Sequence, residues 1–356
     1  MNFRKTFLVF LISFLLLSKL IFTLIVVILS AVFILTIYPN VFAQQTNENP
    51  YAFAFKWGSN GTGNGQFILQ HGIDFDSKGN VYVTDRERND IQKFTSNGKF
   101  ITKWGHKGKG DGEFRTPYSV IVDKYDDVYV VERDNNRIQK FDGDGNFIQK
   151  WEKFDAKGSN VTMHGPEAMA MDPVSGNVYI TDTGWNRTIK LDNNFNVELH
   201  WGSYGTGEGE FNHPHGIGVD SSGNVYVNEY VPRIQKFDKD GNFIKQWGSV
   251  GRGSGQFDSA LEHLFVDPQD NVWQVDGPEK PRIQKFDNDG NYLTKVGSGP
   301  CIIPDNIKND PIQMASFNKC DGKLHQPEQA NINSKGDLYV VDRGNQRIVV
   351  YSLVKH

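Results

Sequence analysis

Residues 214–247, PHGIGVDSSGNVYVNEYVPRIQKFDKDGNFIKQW, hold one complete copy of the unit from which most of the chain is built. Gly216–Asp220 is a short apolar run, Val225–Glu229 a β-branched and aromatic one, Arg233–Phe237 a third and Phe243–Trp247 a fourth. Each is bounded by Gly, Asn, Asp or Ser, the pattern of strands separated by turns. Asp240-Gly241 stands where the third strand turns into the fourth, as do Asn97-Gly98, Asp144-Gly145 and Asp289-Gly290 in other copies. Such dipeptides tolerate positive φ and suit tight hairpins. Further out, the acid closing the second strand recurs as Asp85, Glu132, Asp182, Glu229, Asp276 and Asp342, at spacings of 47, 50, 47, 47 and 66 residues. A period of that size, made only of strand and turn signals, means a radial or stacked β array. Six copies predict an all-β, six-bladed β-propeller with four-stranded antiparallel blades, an architecture that leaves few exposed edges.

The ends of the array predict how the ring closes. The last copy, from about Gln326, supplies Ala330–Asn333, Leu338–Asp342 and Arg347–Ser352, one strand short of a blade. The missing strand stands at the other end as Ala52–Trp57, with the Trp-Gly signature that Trp104, Trp201 and Trp247 also carry. The N-terminal strand is therefore expected to close the last blade and remove the two open edges. On this reading the propeller spans 51–353 and a polar linker spans 44–50.

Residues 1–43 follow different rules. Arg4 and Lys5 precede an apolar tract, and residues 20–37 carry no charge. A run of that length can cross a bilayer, while Val41-Phe42-Ala43 before Gln44 has the form of a signal-peptidase site. The segment reads either as a cleaved secretory signal or as an uncleaved membrane anchor. Both place the propeller outside the cytoplasm, secreted or on the outer face of the cell membrane. The two cysteines, Cys301 and Cys320, flank an insertion at about 298–323 that accounts for the longest spacing. In an oxidising compartment such a pair reads as a disulfide. The formal charge of −4 gives no large basic surface, so no nucleic-acid partner is expected.

Several motifs that look like chemistry have structural readings. Gly61-Thr62-Gly63-Asn64-Gly65 and its relatives near Gly108, Gly205 and Gly251 precede no helix whose N-terminal amides would meet a phosphate, and they read as connections between blades. Asp142-Gly143-Asp144-Gly145 and its counterparts lack the glutamate that a calcium loop needs at its twelfth position, so they read as hairpin turns. The Trp residues at 57, 104, 151, 201 and 247 keep the register expected of blade packing. In five of the six copies the second-strand acid is followed about five residues later by an Arg, as in Glu132 and Arg137, which predicts a charge-assisted bond across the turn. The first copy has Asp90 in place of that Arg, and there the bond is expected to be missing.

The motifs Pro214-His215-Gly216-Ile217-Gly218-Val219-Asp220, Gly223-Asn224-Val225-Tyr226-Val227 and Asn136-Arg137-Ile138-Gln139-Lys140-Phe141 resemble the NHL-repeat family over nearly all of residues 51–353. In a repeat protein, function is best sought where equivalent exposed positions differ. Five residues before the end of each first strand stand His71, Tyr118, Glu167, His215, Glu262 and Glu328. Innermost strands surround the channel of a propeller, so these six are expected to ring one mouth. Imidazole and carboxylate together predict a divalent metal (Zn, Ca or Mg) held by His71, Glu167, His215, Glu262 and Glu328. The residues directly after the second-strand acids add Arg86, Arg133 and Arg343, from three blades that become neighbours on closure. They would form a cationic sector suited to a carboxylate or another anion.

His215 in its Pro-His motif, and His71 at the same position, also resemble the peptidyl-hydroxyglycine amidating lyases, six-bladed propellers with zinc-binding histidines at this repeat position. That resemblance implies catalytic roles for Arg86, Arg133 and Arg343. Trp185 stands near the place of the family's active-site Tyr, leaving Tyr118 as the candidate base. The ring is also similar to the streptogramin-lyase type of propeller. Two functions follow: an exported binding module for a protein, peptide or small anionic ligand at the channel mouth, or a metal-dependent lyase.

Overall fold

The computed structural model describes residues 49–354, apart from 157–158, 258–260 and 298. The apolar leader and its cleavage motif lie outside these residues. Among the described residues no helix is long and apolar enough to cross a membrane.

Six four-stranded antiparallel sheets follow one another around a ring as a six-bladed β-propeller. Blade 4 consists of Pro214–Val219, Val225–Glu229, Ile234–Phe237 and Phe243–Trp247, from the channel outward, and the other blades repeat that order. In the sixth, Pro327–Ile332, Leu338–Asp342 and Arg347–Leu353 are joined by Tyr51–Trp57, whose register runs from Tyr51 against Leu353 to Trp57 against Ile348. The N-terminal strand thus closes the last blade, as expected.

The core lies between blades. Trp57 sits over the turn of blade 1, where a Cβ on Gly98 would fall 2.6 Å from the indole, and Trp104 covers Gly145 of blade 2 in the same way. Both glycines have positive φ. The turn therefore needs a residue that takes this conformation and leaves room for the ring. Blade 3 solves the problem differently: Phe195 takes the glycine position at φ 64° and stacks on Trp151 at 4.0 Å between ring centroids.

Each buried second-strand acid anchors the connection that leads into its own blade. Glu132 accepts the Arg115 amide at 3.0 Å and pairs with the Arg137 guanidinium, which reaches on to the Gly110 and Glu113 carbonyls at 2.9 and 2.7 Å. Asp182 with Arg187, Glu229 with Arg233, Asp276 with Arg282 and Asp342 with Arg347 repeat the pair. In blade 1 that bond is missing, as expected: among the described residues Asp85 pairs with no guanidinium and accepts the backbone amides of Ile68, Leu69, Glu87 and Arg88. There Arg88, two residues earlier in the chain, pairs with Asp90 at 2.7 Å and donates to the Gly63 and Gln66 carbonyls. The guanidinium is kept although its position in the sequence has moved.

Two elements escaped the strand pattern. Lys153–Ala156 pairs with Ser159–Thr162 as a small hairpin in the connection between blades 2 and 3. The Cys-bearing insertion holds two short helices, Asp305–Lys308 and Pro311–Ser316, and is closed by the Cys301–Cys320 disulfide. The insertion lies across the seam of the ring. Lys56 of the closing strand donates to the Phe317 carbonyl and pairs with Asp321, while Arg347 donates to the Cys320 carbonyl at 3.0 Å.

Candidate functional site: a charged channel mouth

The inner strands start earlier than their apolar residues suggest, at Pro214 rather than Gly216 in blade 4. Pairing with the second strand breaks register between Pro214 and Ile217, and likewise between Gln70 and Ile73, Pro117 and Ser119, Pro166 and Met169, and Pro327 and Ala330. His71, Tyr118, Glu167, His215 and Glu328 each fall inside one of these irregularities. A bulge re-aims the side chain that it carries. Polar side chains hold the positions: Thr181 Oγ1 of the preceding blade donates to the His215 carbonyl at 2.9 Å, and Asn228 Oδ1 of the same blade accepts the Gly216 amide at 2.6 Å. Blade 5 differs. Its inner strand begins only at Leu264, so Glu262 and His263 precede it.

These elements bring the ring together. A cavity of about 200 Å³ is lined by Tyr118, Glu167, His215, Glu262 and Glu328 together with Arg86, Arg133 and Arg343. His71 packs against Tyr118 at 3.8 Å between ring centroids, and its Nε2 lies 3.1 Å from Glu328 Oε2. His215 Nε2 is 3.0 Å from Glu167 Oε2, and Arg133 Nε is 3.2 Å from Glu167 Oε1. Arg343 pairs with Glu328. The Arg86 and Arg133 guanidinium groups lie over the Tyr118 ring at 5.1 and 5.7 Å. Arg86 forms no ion pair with any described residue.

Burial and charge divide the ring into groups of different protonation. Burial lowers His71 to about 4, against the pull of Glu328. Burial would also lower His215, but the Glu167 carboxylate outweighs it and raises the imidazole to about 9. Burial and then the Glu328 charge push Glu262 up to about 8. Glu328 resists its own burial through His71, Arg343 and Arg86, which hold it down to about 2. At neutral pH the lining therefore carries three guanidinium groups and one imidazolium against two carboxylates, a net positive mouth. Burial, then the Glu167 charge, raises the Tyr118 phenol far above its ordinary value. The phenol therefore keeps its proton at neutral pH, and the role of base expected from the sequence would first require a neighbour to take it.

Of the five residues read as metal ligands, His215 pairs with Glu167 and Glu328 with Arg343, while His71 and Glu262 stand beside Glu328 without a cationic or anionic charge of their own at neutral pH. Among the described residues no three His, Cys, Asp or Glu side chains stand where a single ion would be held by all of them. Sequence reasoning missed His263, which lies one position past the ring register and follows no proline. It is buried, neither ring nitrogen has a hydrogen-bond partner among the described residues, and burial lowers it to about 3. The far ends of the inner strands line a second cavity of about 620 Å³ at the opposite mouth. There Asp74, raised to about 7 by burial, accepts the Val122 amide and the Asn331 side chain.

Comparison with known proteins agrees with the fold. A family model described as a 6-bladed beta-propeller, DUF5128, matches residues 66–170. No curated protein sequence matches the chain. Among solved structures, a Bacteroides thetaiotaomicron protein of unknown function is 17% identical with a TM-score of 0.59, over 85% of this chain and 75% of its own. A gluconolactonase from Xanthomonas campestris is 13% identical with a TM-score of 0.57, over 82% and 88%. The virginiamycin B lyase of Staphylococcus aureus, solved with quinupristin, is 14% identical with a TM-score of 0.53, over 80% and 95%. At these identities the likeness is one of fold, and a fold hosts many functions.

Proposed function

We propose that this chain is an exported propeller that captures a small carboxylate-bearing ligand at the mouth of its central channel. The observation that carries the proposal is the convergence of Arg86, Arg133 and Arg343 on one cavity, with Arg86 left without an ion pair. A guanidinium is the side chain best matched to a planar carboxylate. Export rests on the leader and is supported by the Cys301–Cys320 disulfide, a bond characteristic of oxidising compartments. Calorimetric titration of the purified propeller with citrate, succinate and galacturonate tests the capture. Arg86→Ala should weaken binding about tenfold or more, as the loss of a charge-assisted hydrogen bond requires. Equal affinity in wild type and variant refutes the proposal.

A second reading, turnover of the bound carboxylate, is favoured by one observation. Glu262 and Glu328 line the same cavity with opposite shifts, so one is a proton donor and the other an anion at neutral pH. Pairs whose environments push their titrations apart mark acid–base assignments. The metal-dependent lyase that the Pro-His resemblance implies belongs to this reading. Metal content of the purified domain and turnover of hydroxyglycine peptides test it directly.

A further inference from the structure

The mouth does not end at its arginines. A second and larger cavity, of about 730 Å³, shares Arg133, Thr183 and His213 with it and extends over blades 2 to 4. The two are thus one continuous surface, a tight charged pocket opening into a broader groove.

The groove has a distinct chemistry. Part of its lining is glycine, at Gly165 and Gly184, and a Cβ on Gly184 would fall 2.1 Å from His164 Nδ1. That glycine lets the His164 ring lie flat against the backbone. Arg115, Asn136, His164 and His213 supply donors and acceptors along the walls. Two large aromatic rings stand exposed at its margins. Trp185, 57% exposed, lies 5.4 Å from the His164 ring, and Tyr230, 58% exposed, lies 5.7 Å from the His213 ring. Among the described residues that line the two cavities, Leu261 is the only aliphatic side chain.

Pockets for most small molecules are lined mainly by apolar side chains. This one offers polar groups between planar faces, with cations at the closed end. Hydrophobic peptide side chains would find no apolar recess here. A chain of pyranose rings matches better, because its hydroxyl groups need donors and acceptors on all sides while its C–H faces pack on aromatic rings. We infer that the ligand is an acidic oligosaccharide, its uronate carboxylate in the arginine pocket and its neighbouring sugars along the groove between Trp185 and Tyr230. This rests on the carboxylate-capture reading of the mouth and extends it to the groove.

The test compares galacturonate, its trimer, the neutral trisaccharide maltotriose and a polar tripeptide with a free C-terminal carboxylate, all titrated against the intact propeller. The trimer should bind about tenfold or more tightly than the monomer, a gain of about 1.4 kcal/mol. Trp185→Ala should remove that gain and leave monomer affinity unchanged. Trp185 is exposed, so its variant is expected to melt with the wild type, and the wild-type ligand series stands without any variant. Equal affinity for trimer and monomer overturns the groove assignment and leaves the mouth reading standing. Maltotriose binding as well as the acidic trimer, or the tripeptide binding in place of it, overturns the ligand class. Failure of every carboxylate to bind overturns the mouth reading, and this inference with it.

Discussion

The guanidinium that ties each blade to its incoming connection offers a demanding test, because blade 1 draws it from a different place in the sequence. Replacing Arg137 by Met keeps most of the aliphatic volume. It removes the partner of Glu132 and three donors, to the carbonyls of Lys109, Gly110 and Glu113. Both side chains of the pair are almost completely buried. Breaking a buried ion pair by removing one partner costs about 3–5 kcal/mol, because the remaining charge is left unpaired. For a domain of this size that corresponds to a fall in Tm of about 5–8 °C. Glu132 is already raised by burial, and without Arg137 it rises further. The cost of the variant should therefore shrink as the pH falls and the carboxyl takes up a proton. Glu132→Gln combined with Arg137→Met should recover part of the loss even at neutral pH. Arg88→Met in blade 1 is the decisive comparison, since it removes the equivalent carbonyl contacts from another register, with Asp90 in place of the second-strand acid as its ion partner. Urea unfolding followed by tryptophan fluorescence measures all four proteins. A loss below about 1 kcal/mol for Arg137→Met, or a neutral Arg88→Met, refutes the equivalence of the two guanidinium groups.

Deleting residues 51–57 should unfold the propeller rather than trim it, because Tyr51, Phe53, Phe55 and Trp57 pack into two of the core clusters. Limited proteolysis that finds wild-type resistance in the deletion would refute this. Thiol titration of the purified protein should find no free cysteine until a reductant is added, and replacing both cysteines by serine should cost about 3 kcal/mol, the stabilisation expected for a loop of this length. Carboxylate affinity should be level near pH 7 and fall as the pH passes about 8 and then about 9, when Glu262 gains a negative charge and His215 loses its positive one. The sign for folding is the same: the raised His215 stabilises the fold fully below its ordinary value of 6.5, and that contribution fades as the pH climbs through about 9. Gly184→Ala should displace His164 and weaken trimer binding, read by calorimetry, with little change in monomer binding.

The fold was legible because every strand carries its own apolar run and every turn its own Gly or Asp. The closing strand was legible from a count of strands at the two ends. Register across the copies also located the ring, since equivalent residues occupy equivalent places around an axis. What escaped depends on direction rather than type. A fixed register hid Arg88, whose long side chain reaches the place that Arg137 fills from two residues further along its own blade. In blade 5 the inner strand starts late, and the buried His263 stands close to the ring from a position that the repeat does not mark. Whether His71, Glu167, His215, Glu262 and Glu328 would hold a cation or one another depended on the arginines packed between them. Composition alone does not rank those partners. The short helices of the insertion and the Lys153–Thr162 hairpin lie in segments that no other copy repeats.

The seam of the sixth blade sets the order in which the domain can be made. Blades 1 to 5 are each continuous in sequence, so every one can form as soon as it leaves the ribosome or translocon. The strand Tyr51–Trp57 is synthesised first and finds its partner, Arg347–Leu353, last. For nearly the whole of translation it must wait with its aromatic face uncovered and its backbone unpaired. An unpaired edge of that kind templates association with other chains, and pairing between distant parts of a chain is slow. Yield should therefore be limited by the lifetime of a nearly complete, open ring rather than by the stability of any blade. A holdase that shields this one strand would be expected to raise it.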